Sequence, residues 1–222
     1  MPHGTLTQYQ RQIHKKRKII VKPFFDFLVL NSASRIFVAS RIEKEQIPVS
    51  LKSKSRVVGL GFLNTKLEQK KYFNARTDFT FLYMGRITPK KRLDIAIEAF
   101  SVLAMREKMS IKFLICGDGR LEYVHEIAEL INKLPSRDKI FFEGWVTGEK
   151  KSRILEKSNC FVLTSEDENF AIAAAEALAQ GIPCILSVNV ALSRLVEEHK
   201  AGEVFLQMEI EQIHQALSKV MK

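Results

Sequence analysis

Two glutamates stand eight positions apart in SEDENFAIAAAEALAQGIPCI (165–185), Glu168 just before an alanine-rich run and Glu176 inside it. A helix starting near Asn169 or Phe170 puts Glu168 at its cap and separates the two carboxylates by about 12 Å at 1.5 Å rise per residue. That separation is near the length of a diphosphate with a sugar at each end. A carboxylate accepts hydrogen bonds from both hydroxyls of a ribose, and the free N–H groups of a helix start can hold a phosphate between the two acids. The alanines let such a helix approach its neighbours closely, and Gly181 with Pro183 ends it before the next element. A capping glutamate followed by a solvent-facing one gives the same spacing, so the pair has to be weighed with other loops.

Two other loops bear on the question. In GRITPKKRLD (85–94), Gly85 lets the backbone turn, Arg86 and Lys91 offer cations, and a following helix presents its unpaired N–H groups. An anion there meets two charges and a helix dipole, although a basic loop that only caps a helix reads the same way. In CGDGRLE (116–122), Gly117, Asp118 and Gly119 form a tight turn without the spacing of a dinucleotide fingerprint, and the structural reading is the stronger one.

The elements that must position these loops alternate. Short apolar runs FTFLYMG (79–85), IKFLICG (111–117), KIFFEG (139–144), CFVLTS (160–165), PCILS (183–187) and GEVFL (202–206) are separated by five segments of helical spacing, with IEQIHQALSKVMK at the end. That pattern predicts an α/β fold with a doubly wound, parallel, six-stranded Rossmann-like sheet, whose ligands bind beyond the carboxyl ends of the strands. The first 78 residues differ. A basic helix-like segment, RIFVAS (35–40), the charged helix RIEKEQI and SRVVGLGF (55–62) read as a partial second α/β domain, and two strands cannot bury a sheet by themselves. The expected division is 1–78 and 79–222.

Composition bounds the rest. With 222 residues, 46% of them hydrophobic, and only 6 Pro and 10 Gly, the chain is expected to be globular and not disordered. No apolar run approaches the length of a membrane span and no secretory leader is visible, so a cytoplasmic location is expected. Cys116, Cys160 and Cys184 lie in apolar runs at unequal spacing, the pattern of buried free thiols. The formal net charge of +10 attracts anions. Much of it sits in HKKRKIIVK (14–22), which is either a solvated helix face or a basic element on an anionic membrane surface. No recognition motif or interleaved aromatic stripe supports nucleic acid as a partner.

Together GRITPKK, ICGDG, FFEGWV and SEDENFAIAAAEALAQGIPCI resemble the donor half of a retaining glycosyltransferase of family four, which has the GT-B fold. The glutamate, seven residues, glutamate pattern and the EA-x-A-x-G-x-P segment run from Glu168 to Pro183, and the four motifs keep their order over about residues 79 to 206. PHGTL (2–6), ASRIFVAS and VVGLGF are similar to the end of the acceptor domain. The resemblance implies that Arg86 and Lys91 hold the donor diphosphate, that Glu168 contacts the donor sugar and Glu176 the ribose, and that Trp145 and Val146 lie beside the base. It further assigns His3 to the sugar pocket, and Gly85, Asn169, Phe170 and Ala171 to the turns around the diphosphate.

The resemblance also implies a hexose passed from a UDP- or GDP-sugar to a glycan or lipid-linked acceptor, with no cofactor and no metal. No D-x-D pair occurs, and EDE at 166–168 belongs to the glutamate motif. Three departures stand out. Ala171 replaces a frequent glycine, Arg92 follows the lysine where glycine is frequent, and VVGLGF replaces an asparagine-glycine pair. The glycine-rich first loop and the returning terminal helices of the family are missing, so truncation at both ends is expected. A separate chain would then supply the rest of the acceptor domain. A binding fragment without turnover and a related GT-B epimerase are the alternatives.

Overall fold

The computed structural model describes residues 28–59 and 78–221. The chain divides into two compact units, Met1–Phe62 and Leu63–Lys222.

In the first unit β1 (Ile36–Val38) pairs in parallel with β2 (Ser55–Val57), connected through the short helices α1 (Arg41–Gln46) and α2 (Val49–Lys52). The start of α1 is a variant of the capping box in which the glutamate reaches back to the residue before the cap. Glu43 N–H donates to Ser40 Oγ at 3.0 Å, and the buried Glu43 carboxylate accepts from Ala39 N–H at 2.7 Å. Among the described residues of this unit, Ile36, Val38, Ile47 and Leu51 form a core cluster.

The second unit contains the six-stranded sheet: β3 (Asp78–Met84), β4 (Ser110–Cys116), β5 (Ile140–Gly144), β6 (Cys160–Leu163), β7 (Cys184–Ser187) and β8 (Gly202–Phe205). All pairings are parallel, in the order β5-β4-β3-β6-β7-β8. Near-continuous apolar runs produce this arrangement, because strands of a parallel sheet are covered on both faces. The connecting helices are α3 (Leu93–Arg106), α4 (Leu121–Lys133), α5 (Gly148–Lys157), α6 (Ile172–Ala179) and α7 (Ser193–Glu198), and α8 (Ile210–Val220) packs on α3 and β8. The strand order reverses between β3 and β6, so right-handed crossovers put α3 and α4 on one face of the sheet and α5, α6 and α7 on the other.

The core under α3 is aromatic. Phe81 meets Phe100 edge-on with ring centres 6.0 Å apart, and Phe100 stacks on Phe113 at 5.3 Å. The three cysteines are buried and free, as their apolar surroundings predict. Burial pushes the Cys116 thiol up to about 12 and raises Cys160 and Cys184 as well.

Candidate functional site

The carboxyl ends of β3 and β6 meet at the point where the strand order reverses, the position where open α/β sheets bind ligands. The segment after β3 and the segment after β6 carry opposite charge and are joined by three ion pairs. Lys90 Nζ lies 2.9 Å from Asp167, Lys91 pairs with the Glu168 carboxylate, and an Arg92 guanidinium nitrogen lies 3.3 Å from Glu166. Backbone bonds fix the same register. Glu166 N–H donates to the Lys90 carbonyl at 2.9 Å, and the buried Thr164 hydroxyl lies 2.9 and 2.7 Å from the carbonyls of Lys91 and Arg92. Hydrogen bonds that it donates to Asp94, and then to Glu166, push the Arg92 guanidinium up, so it is a fixed cation.

The basic loop is braced from below. Gly85 N–H donates to the Cys116 carbonyl at 2.9 Å, and Ile87 N–H donates to that of Asp118 at 2.8 Å. A Cβ at Gly117 would lie 1.9 Å from the Gly85 carbonyl oxygen, and one at Gly119 would lie 2.0 Å from that of Ile87. The GDG turn therefore serves a structural purpose: only glycine allows the two loops to approach this closely. From the other side Tyr83 donates its hydroxyl to the Arg86 carbonyl at 2.7 Å. Burial, then the charge of Glu168, holds that phenol protonated well above its ordinary range. Arg86 itself is exposed.

Glu168 does not sit at the helix cap. Its N–H donates to the Asn189 carbonyl at 3.1 Å, and its own carbonyl accepts from Ala191 N–H at 2.9 Å, so it is held as a bridge to the segment after β7. Asn169 and Phe170 are half-buried in the turn that follows, and α6 begins at Ile172 with Ala171 as its N-cap. The expected start near Asn169 or Phe170 is thus two to three residues early. The reason is local: Ala171 adopts the left-handed conformation (φ 61°), which interrupts a helix. Because only the stretch from Ile172 is helical, the 12 Å figure for a continuous helix does not describe the two carboxylates. No side chain caps α6.

Arg92 is also left-handed, at φ 47°. Both positions at which the sequence departs from a frequent glycine therefore have the backbone that glycine would adopt most easily.

Ala174, Ala175 and Ala177 are buried against the sheet, close enough that the Cys184 thiol reaches the Ala174 carbonyl at 3.7 Å. Gly181 ends the helix in a Schellman motif. Ile182 N–H donates to the Ala177 carbonyl at 3.0 Å and Gly181 N–H to that of Leu178 at 2.9 Å, with Gly181 at φ 73°. Glu176, in the second turn of α6, is bound by Lys151 of α5 at 2.6 Å. At the end of β5 Trp145 is 65% exposed, whereas Val146 is buried.

His3 and the basic segment 14–22 lie outside the described residues. Lys90, Asp167, Arg92 and Lys151 take part in the site's ion pairs without having been singled out as functional. The adjacent charge runs KKR and EDE were a signal for the first three; Lys151, one lysine in a charged helix, gave none.

The sequence profile of glycosyl transferases group 1 matches residues 64–222, and the chain belongs to this family. A mannosylfructose-phosphate synthase of Agrobacterium fabrum is 32% identical over 120 residues, covering 52% of this chain and 26% of that protein. A glycogen synthase of Thermodesulfovibrio yellowstonii is 24% identical over 197 residues, covering 89% of this chain and 37% of its own. The chain thus spans well under half the length of these two curated relatives. Among solved structures, Anabaena HepE in complex with UDP and glucose superposes with a TM-score of 0.74 at 17% identity, covering 90% of this chain and 56% of that one. WaaG, a glycosyltransferase of lipopolysaccharide biosynthesis, superposes with a TM-score of 0.72 at 13% identity, covering 97% and 64%. The fold is that of the GT-B glycosyltransferases.

Proposed function

We propose that this chain supplies the donor half of a family-four retaining glycosyltransferase that moves a hexose from a UDP- or GDP-sugar to a glycan or lipid-linked acceptor. The observation that carries the proposal is the meeting of a basic loop with an acidic segment and an uncapped helix start at the sheet's switch point. In this reading residues 79–222 bind the donor, and residues 1–78 are the end of an acceptor-side α/β domain that includes His3.

Each residue then has a chemical task. Arg86 and Lys91, with the N–H groups at the start of α6, stabilise the charge that builds on the departing diphosphate, which lets the site work without a metal. Gly85 and Ala171 turn the backbone towards that diphosphate, flanked by Asn169 and Phe170, while Trp145 and Val146 border the base. Glu176 accepts the ribose hydroxyls and Glu168 those of the transferred sugar. The arriving diphosphate takes Lys91 over from Glu168, which frees that carboxylate for the sugar. The proposed setting is cytoplasmic, with segment 14–22 on an anionic membrane face. No helix of the described residues is long and apolar enough to cross a membrane.

Calorimetric titration tests the site. Diphosphates of uridine or guanosine are expected to bind more tightly than the monophosphates, and Arg86→Ala with Lys91→Ala to remove that preference. Equal affinity for both in the parent chain overturns the assignment. A second reading follows from the chain's coverage of its relatives: nucleotide-sugar binding, with transfer only when the rest of the acceptor half is supplied in trans. Transfer by the chain alone would reject it.

A further inference from the structure

Two consecutive lysines in the first turns of α5 go to different partners. Lys150 Nζ lies 3.0 Å from the Glu143 carboxylate of β5 and donates to the Glu143 carbonyl at 3.4 Å. Lys151 reaches α6 instead, where it donates to Oε1 of Glu176 at 2.6 Å. The ammonium is also 2.6 Å from Oε2, yet that oxygen is buried and accepts no hydrogen bond of acceptable geometry. The neighbours of Glu176 on α6 are the buried alanines Ala175 and Ala177, which have no polar side-chain atoms to offer it. Lys151 and Glu176 are only 29% and 26% exposed, so neither group is fully solvated.

A carboxylate this little solvated is stabilised by the ammonium that faces both of its oxygens. By facing both oxygens the ammonium fixes the orientation of the Glu176 carboxylate. We propose that Lys151 is a positioning residue for ribose recognition: it anchors the Glu176 carboxylate between α5 and α6 so that the group is held in place as the acceptor for a ribose hydroxyl. The inference rests on the ribose role proposed above for Glu176. It also explains why α5 follows the Trp145–Val146 segment so closely. Lys150 ties the start of α5 to the end of β5, and Lys151 ties the same helix to α6, so the segment proposed for the base and the acid proposed for the ribose are held by one helix.

The test is the ratio of affinities for uridine diphosphate and its 2′,3′-dideoxy analogue, with the guanosine pair in parallel, measured by calorimetry on the full chain. The parent chain is expected to prefer the ribonucleotide by about tenfold or more, the worth of one charge-assisted hydrogen bond. In Lys151→Met the ratio falls to within about twofold of unity, and Lys151→Arg restores it. Glu176→Gln collapses the ratio in the same way, and combining it with Lys151→Met adds nothing, because both act on one interaction. If Glu176→Gln leaves the ratio at its parent value, the ribose assignment of Glu176 fails. If Glu176→Gln collapses the ratio and Lys151→Met does not, the assignment stands and the positioning role of Lys151 is overturned. A melting temperature lowered in Lys151→Met with the ratio unchanged is the mark of a structural ion pair and also overturns it. Should Lys151→Met not fold, Lys151→Gln carries the same test.

Discussion

The two compact units are built from the same elements, parallel strands joined through helices, and differ in how much they bury. Among the described residues of the unit around β1 and β2, four buried apolar residues form the core, the strands are three residues long, and Phe37, Val57 and Val58 are exposed. In the unit around β3 to β8 the core runs through every strand, from Phe79 to Phe205, and through six helices. Small cores cannot offset the conformational entropy of ordering a chain, whereas large ones can. Among its described residues the smaller unit adds a local device, the Ser40–Glu43 cap of α1. The ion-paired residues of the site belong to the larger unit, whose loops are braced by neighbouring strands.

Substitutions can break this comparison. The largest effect is expected from Phe100→Ala, which removes the centre of the aromatic core and should destabilise the larger unit by about 3 to 5 kcal/mol. All three cysteines lie in that unit, so thiol labelling reports its opening alone. Labelling should accelerate in Phe100→Ala while amide exchange at Val38 and Ala39 stays unchanged. Equal acceleration in both would mean that the units unfold together and the contrast is wrong. The thiols also give a sign for pH. A thiol raised to about 12 on folding, as at Cys116, leaves stability fully present below the unfolded value of roughly 8.5 and loses it as pH rises towards 12. Melting temperature measured from pH 7 to 11 should therefore fall at the alkaline end in the larger unit.

Gly119→Ala comes next. Its Cβ would meet the Ile87 carbonyl oxygen at 2.0 Å, so the basic loop has to move. A loss of about 1 to 3 kcal/mol is expected, together with weaker diphosphate binding. Unchanged binding would show that the brace under the loop has no bearing on the site. In the smaller unit Ser40→Ala removes the cap of α1 and should cost about 1 kcal/mol, visible in hydrogen exchange over residues 36–58 and absent from thiol labelling. The smallest effect is expected from Ala171→Gly. It relieves a left-handed alanine worth about 1 to 2 kcal/mol but adds glycine's entropy of about 0.5 to 1, so the melting temperature should rise slightly. A fall in melting temperature would mean that the methyl group's packing outweighs the strain.

The sheet was legible because burial on both faces leaves no choice of residue: runs such as FTFLYMG and IKFLICG can only be central strands, and each forms one. Where the chain turns was less legible. The start of α6 was misread because a helix beginning at Ile172 depends on the left-handed backbone of Ala171, and alanine gives no sign of it. The GDG turn showed itself as a turn, but its purpose as the brace of the loop after β3 involves Ile87, more than thirty positions away.

By itself, then, the amino-acid sequence determined the fold class, the parallel sheet, the burial of the three thiols, and the charged loops that end its strands. Hydrophobic periodicity and residue type are local properties, and these features follow from them. The pairing of those charges was decided by the tertiary structure alone. Lys91 meets Glu168 because β3 and β6 are neighbours, and Lys151 meets Glu176 because α5, which leads into β6, and α6, which leaves it, cover the same face of the sheet. A side chain's reach is a few ångströms, while the residues it pairs with are 77 and 25 positions distant along the chain, so only the folded sheet brings them together.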